Sequence, residues 1–235
     1  MHVAGGESGR VGHAIDHLRE AIVRASMLPT IRLYDRKPDV DHDLLVDPDA
    51  PPVMSERDKE VNRDLAKWLF EHVMQGRPGR TLDVGCGPYP FLANRLLAFG
   101  CDVTAIDGNP AYTTELLLQA IHVDFEELST EDVHHEIGRE FSLITMIHSF
   151  EHCYDPLAAL CKIRTITHDD SHVFLRLPDH GVRGFEAHFK PAIHPFFHCL
   201  DSILEALRQT ETFTVAETSV MDGAGQIDIL LRPII

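Results

Sequence analysis

Three aspartates close short apolar runs in this chain, and their spacing suits recognition of a nucleoside. Asp83 ends Thr81-Leu82-Asp83 and is followed at once by Val84-Gly85-Cys86-Gly87-Pro88. Asp107 ends Cys101-Asp102-Val103-Thr104-Ala105-Ile106-Asp107, 24 residues after Asp83, and Gly108 follows it. An acidic residue about 20 positions past a glycine turn, at a strand end, is placed to accept from both hydroxyls of a ribose. Asp124 ends a third run, Ala120-Ile121-His122-Val123-Asp124-Phe125. A second kind of chemistry sits in His148-Ser149-Phe150-Glu151-His152, two imidazoles and a carboxylate within five residues, and in His194-Pro195-Phe196. Imidazole changes protonation near neutral pH, so such residues serve as proton acceptors or as metal ligands.

The elements that must hold these residues follow from the apolar periodicity. Residues 81–84 read as a strand, the glycines as a turn, and Phe91–Phe99 as a helix stopped by Gly100. Only glycine turns the backbone this tightly and leaves room for a ligand against it. Pro88 and Pro90 remove backbone N–H groups that a pyrophosphate would need at the helix start, and the third glycine of a dinucleotide fold is absent. A cofactor without phosphate fits better than NAD.

Residues 101–107, 120–125, 141–147 and 172–177 read as further strands, with the fourth nearly all apolar, as a strand buried on both faces should be. Asp155-Pro156 starts a helix, and Leu200, Ile203, Leu204 and Leu207 mark another. Residues 126–139 are polar and acidic, a loop or solvated helix. The strands Phe213–Ser219 and Gln226–Arg232 are joined through Asp222-Gly223-Ala224-Gly225 as a hairpin. The expected fold is α/β: a Rossmann-like, doubly wound, mostly parallel seven-stranded sheet with an antiparallel C-terminal hairpin strand.

Residues 10–27 carry apolar residues at helical spacing and 29–53 are rich in Pro and Asp, so residues 1–55 are expected to form an N-terminal helical cap and lid segment. The domain proper then spans 56–235. Within it, Val61, Leu65, Trp68, Leu69 and Val73 predict one apolar helix face, with Trp68 read as core. The loop-rich stretch 179–195 follows the fifth strand.

Composition sets the partners. The formal net charge is −16, and the basic residues are scattered. Such a surface repels nucleic-acid backbones, so nucleic acid is an unfavoured partner. No apolar run approaches the roughly 20 residues of a membrane span. No C-x-x-C pair occurs among the five cysteines, and reduced thiols in a cytoplasmic protein are expected.

In these motifs the chain resembles the class I S-adenosylmethionine-dependent methyltransferases. Asp83-Val84-Gly85-Cys86-Gly87-Pro88 looks like that family's first motif, Ala105-Ile106-Asp107 its second and Val123-Asp124-Phe125 its third. The resemblance implies S-adenosylmethionine held by Asp83, Gly85, Cys86, Gly87, Asp107 and Gly108, with Asp124 and Phe125 at the adenine and His148 beside the cofactor. His148 to Pro156 resembles the fourth-strand motif, often an E-H followed by D-P.

Ubiquinone-pathway O-methyltransferases and small-RNA 3′-end 2′-O-methyltransferases carry E-x-x-E-H at this place and bind a divalent metal with it. Here His148 replaces the first Glu, which leaves His148, Glu151, His152 and a distant His194 as an expected ligand set for a softer metal. The alternative keeps His148, His152 and His194 as catalytic bases without metal. H-x-x-E-H is also a metalloprotease helix signature, but here it follows a strand. The leading expectation is methylation of O or N on a small-molecule acceptor. The competing ones are a metal-dependent RNA 2′-O-methyltransferase and a non-catalytic cofactor-binding protein.

Overall fold

In a computed structural model, the described residues are 56–87, 90–108, 121–179, 199–221 and 225–235. The expected N-terminal cap and lid (1–55) and the insertion after Asp179 that carries His194 lie outside them. Among the described residues no helix is long and apolar enough to cross a membrane.

The apolar runs become seven strands: β1 Arg80–Val84, β2 Asp102–Asp107, β3 Ile121–His122, β4 Phe141–Ile147, β5 Thr167–Pro178, β6 Phe213–Met221 and β7 Gln226–Pro233. They form one sheet in the order β3-β2-β1-β4-β5-β7-β6. β1 pairs in parallel with both β2 and β4, and β4 in parallel with β5. β7 is antiparallel to β5 and β6 and lies between them. The chain therefore winds outward in both directions from β1, and the order reverses between β1 and β4. In open α/β sheets, ligands bind in the crevice at the carboxyl ends of the strands at such a reversal.

Alternation along the strands feeds two cores. Leu82 and Val84, Ile144 and Met146, Val173 and Leu175, and Ile227 and Ile229 point to one face, where α3 (Pro156–Thr165) and α4 (Leu200–Thr210) cover them. Leu143, Phe174 and Leu230 point to the other, beneath α1 (Glu56–Trp68) and α2 (Phe91–Ala98). Burial on both faces is why these strands read as continuous apolar runs. Helix α3 starts as expected: the Asp155 carboxylate accepts from the Ala158 N–H at 3.0 Å, and Pro156 occupies the first turn.

The structure corrects several boundaries. β3 has two residues rather than six, because the chain turns away at Asp124, whose carboxylate accepts from the Glu126 N–H at 2.9 Å. β5 starts at Thr167, five residues early, and Ser171 Oγ donates to the Phe141 carbonyl across a register shift in β4. The acidic stretch after residue 126 holds a helical turn, Thr130–Asp132, capped by Ser129 and continued through Val133–Ile137; Val133 and Ile137 are buried. Helix α1 continues into a wider turn, Leu69–Val73, and buries Leu65, Ala66, Leu69 and Val73. Val61, expected on that apolar face, is 43% exposed, and Trp68 is only half-buried.

Candidate functional site

The site grows from the turn after β1. Gly85 and Gly87 both adopt positive φ, +70° and +68°. The Gly85 and Cys86 N–H groups donate to the Ile106 carbonyl at 2.9 and 3.1 Å, folding the turn over the end of β2. There the Asp107 carboxylate accepts from the Gly87 N–H at 2.8 Å. A Cβ on Gly85 would stand 2.3 Å from Ser149 Cβ, while one on Gly87 would meet nothing within 4 Å. One glycine is required by packing; the other leaves an open side. Ser149 Oγ also donates to the Val84 carbonyl at 2.7 Å, so the ends of β1 and β4 are docked directly.

Gly108 approaches Asp124 closely enough that a Cβ would lie 3.5 Å from its Cα, which brings the second and third aspartates to one rim. Glu126, read from sequence only as part of an acidic loop, fixes that rim. Its carboxylate accepts from the N–H groups of Tyr154 and Asp155 at 2.8 and 2.7 Å. Phe125 does not join Asp124 at the rim. Its side chain is buried in the core, with Lys162 Nζ 5.6 Å above the ring.

Asp83 is buried, and Thr145 Oγ donates to it at 2.7 Å. Burial pushes its carboxyl up to about 6, against the lowering effect of that hydrogen bond, and the Asp107 charge adds to the rise. Burial and the nearby Asp83 and Asp107 charges also push the Cys86 thiol up, so Cys86 contributes backbone and volume rather than a thiolate.

His148 leaves β4 at φ +52°, and its N–H donates to the Arg176 carbonyl at 2.8 Å. Its Nδ1 lies 3.3 Å from Glu151 Oε1 and its Nε2 lies 2.9 Å from the Gln226 amide nitrogen. Glu151 is 2% exposed. Burial acts to raise its carboxyl, but the His148 hydrogen bond and the charges of His148 and His152 outweigh it, and the group is held below its usual range. An ionised Glu151 only accepts. Nδ1 of His148 therefore donates to Glu151, and Nε2 faces the Gln226 amide.

This arrangement does not fit the expected metal site. Among the described residues no three His, Cys, Asp or Glu side chains gather to hold an ion. His152 is half-buried on the short helical turn Phe150–His152, and His194 lies outside the described residues. Sequence reasoning missed Thr145, Ser149, Glu126 and Gln226. Only the sheet order brings them to the site, and no local pattern marks them.

Known proteins share this fold. A family profile described as "Methyltransferase domain" matches residues 54–211. The chain is similar to a ubiquinone biosynthesis O-methyltransferase of Azotobacter vinelandii, 30% identical over 131 residues, 54% of this chain and 55% of that protein. A protein of the same name from Stutzerimonas stutzeri is 26% identical with the same coverage, so the match spans about half the length of these relatives. Among solved structures, a S-adenosylmethionine-dependent methyltransferase from Clostridium acetobutylicum shares the fold with TM-score 0.56 and 11% identity, over 72% of this chain and 90% of that one. Magnesium protoporphyrin IX methyltransferase from Synechocystis PCC 6803, with bound S-adenosylhomocysteine, matches with TM-score 0.55 and 13% identity, over 79% and 90%.

Two stability measurements test the site as built. Gly87→Ala is expected to cost about 1–2 kcal/mol, the left-handed backbone penalty alone. Gly85→Ala is expected to cost about 2–4 kcal/mol, because the clash with Ser149 adds to it. Equal urea midpoints for the two variants would contradict the packing described. Asp83 gives a pH signature. Below pH 3.8 the carboxyl is protonated both folded and unfolded, and its contribution to stability is full. Between 3.8 and about 6 the unfolded chain ionises first, so stability falls as pH rises, and above that the loss is complete. Asp83→Asn removes this dependence. Its stability relative to wild type is expected to rise by about 2.4 kcal/mol between pH 4 and pH 7, at about 1.4 kcal/mol for each pH unit separating the folded from the unfolded titration, less the part already lost at pH 4. A difference that is flat across that range would show that Asp83 is not desolvated.

Proposed function

This chain belongs to the methyltransferase-domain family, and we propose that it transfers a methyl group from S-adenosylmethionine to an oxygen of a small-molecule acceptor, with His148 as the base. The observation that carries this reading is the direct docking of the two strand ends, through Ser149 and Val84, which brings the loop that bears His148 to the glycine turn at the reversal of the sheet.

The residues fit the donor. The open side of Gly87 is a surface against which a nucleoside can lie, and the Asp107 carboxylate at the end of β2 is placed for ribose hydroxyls. Asp124 stands at the same rim for the adenine amino group. Asp83 supports the turn from beneath, by its bond with Thr145. When bound, S-adenosylmethionine supplies a methyl carbon on a sulfonium, which accepts an in-line nucleophile and leaves as a neutral thioether.

The chain must align an acceptor hydroxyl and take its proton as the new O–C bond forms. His148 Nε2 is the acceptor of that proton, and the substrate hydroxyl takes the position that the Gln226 amide now occupies. Glu151 is a positioning residue. It fixes the tautomer through Nδ1 and stabilises the imidazolium that forms. The 45% exposure of the His148 side chain favours an active enzyme over a cofactor-binding protein without catalysis. The O-methyltransferase relatives support oxygen over nitrogen as the acceptor atom. The net charge of −16 speaks against RNA.

Calorimetric titration with S-adenosylhomocysteine tests the donor reading, and absence of binding by the wild-type chain would sink it. Asp107→Ala is expected to weaken that binding roughly 10- to 100-fold, the loss of one or more hydrogen bonds to a charged acceptor. For turnover, His148→Ala is expected to lower kcat about 10²- to 10⁴-fold. Glu151→Gln should lower it less, since it keeps a side chain of the same shape beside Nδ1 but removes the charge that stabilises the imidazolium. Prior dialysis against EDTA should leave turnover unchanged. Its loss, with recovery on adding Mn²⁺ or Zn²⁺, would restore the metal reading in place of a free imidazole base.

A further inference from the structure

A cavity of about 430 Å³ opens between α1 and the outer strands β5, β7 and β6. That volume is in the range of small-molecule pockets. Its walls are aromatic and aliphatic: Trp68 and Phe174, with ring centroids 5.9 Å apart and tilted at 57°, face Leu65 and Leu230. The floor is an ion pair, in which Arg176 donates from Nε and an η nitrogen to the two Asp228 oxygens at 2.8 and 2.7 Å. Asp64 and Glu217 stand at the rim. The lining thus holds three carboxylates and one guanidinium, and the guanidinium is bound through two donors to one of those carboxylates. The exposed Val61, out of place on a packed helix face, lies along this opening.

The register of the sheet relates the cavity to the proposed site. Gln226, Asp228 and Leu230 alternate onto one face of β7, and β5 pairs Pro178 with Gln226 and Arg176 with Asp228. The row that holds the His148–Gln226 contact is therefore the next side-chain row above the Arg176–Asp228 pair, roughly 7 Å along the strand.

We propose that this cavity receives the body of the methyl acceptor, and that the acceptor is a flat aromatic alcohol carrying a cationic amine. The hydroxyl end is directed along β7 toward His148, the ring packs against Trp68 and Phe174, and the ammonium faces Asp64 and Glu217. The assignment rests on the methyl-transfer reading for the identity of the ligand, but the preference for a cation rests on the lining alone.

Three phenols that differ in charge test it: tyramine, p-cresol and 4-hydroxyphenylacetate. Each is titrated by calorimetry into the full chain with and without S-adenosylhomocysteine. Tyramine is expected to bind about 10-fold more tightly than 4-hydroxyphenylacetate, with p-cresol between, the scale of two exposed carboxylates acting on one charge. Asp64→Asn with Glu217→Gln should bring the three within about 2-fold of one another. Trp68→Ala should weaken all three at least about 10-fold and leave S-adenosylhomocysteine binding intact, and Trp68→Phe should keep most of the affinity. The proposal is overturned if 4-hydroxyphenylacetate binds as well as tyramine, if none of the three binds, or if Trp68→Ala changes nothing. Failure of S-adenosylhomocysteine to bind overturns the donor reading and not the cavity, because the phenols are also titrated without it.

Discussion

The approach of the end of β1 to the end of β4 is the constraint on which the rest of the site depends. Ser149 lies so near Gly85 that no side chain fits between them, and its hydroxyl holds the last carbonyl of β1. One contact therefore sets two things that sequence keeps more than 60 positions apart. It fixes the path of the glycine turn and the point at which the histidine-bearing loop leaves the sheet. The sheet order reverses between these two strands, which is where a crevice forms in open α/β sheets. Beneath, the Thr145–Asp83 bond ties the same strands inside the low-dielectric core. That bond holds a desolvated carboxyl that keeps its proton up to about pH 6, a cost to folding above that pH.

The aspartate rim is held by a different device. Asp124 turns the chain off β3 by capping Glu126, and Glu126 then grips the backbone of Tyr154 and Asp155 just before α3. Lys162, on α3, donates to the Phe125 and Glu126 carbonyls at 3.0 and 2.6 Å and closes the loop from the other side. The third motif is thus anchored to the element that follows the fourth. A change at the rim would be felt at His148, and the reverse.

Much of this was legible in the sequence, for reasons that are physical. β4 and the Asp155-Pro156 cap were readable because each is decided locally, by a continuous apolar run and by a capping carboxylate with a proline. The places of Asp83, Asp107 and Asp124 were readable because a strand–turn–helix unit fixes them within a short stretch. Phe125 was misread as a partner of Asp124: adjacent residues leaving a strand point to opposite sides, and its ring goes to the core. The extent of β3 and β5 was hidden, since one depends on where an Asp chooses to cap and the other on a register shift against β4. Glu126, Gln226 and the Arg176–Asp228 pair carry no local signature at all. Their partners lie 28 to 78 positions away and are chosen by the sheet order.

A histidine rather than a glutamate at position 148 has a structural consequence. A carboxylate at this position would face the buried Glu151 carboxylate, and two such groups side by side need a cation between them or a proton on one. An imidazole needs neither. It donates to Glu151 through Nδ1 and offers Nε2 outward, across β5 to Gln226. The left-handed turn at His148, a conformation that histidine tolerates better than most residues, directs the ring along this path. The His148–Glu151 pair thus needs no ion to offset it, and its imidazole points toward Gln226, one side-chain row from the Arg176–Asp228 pair of the cavity.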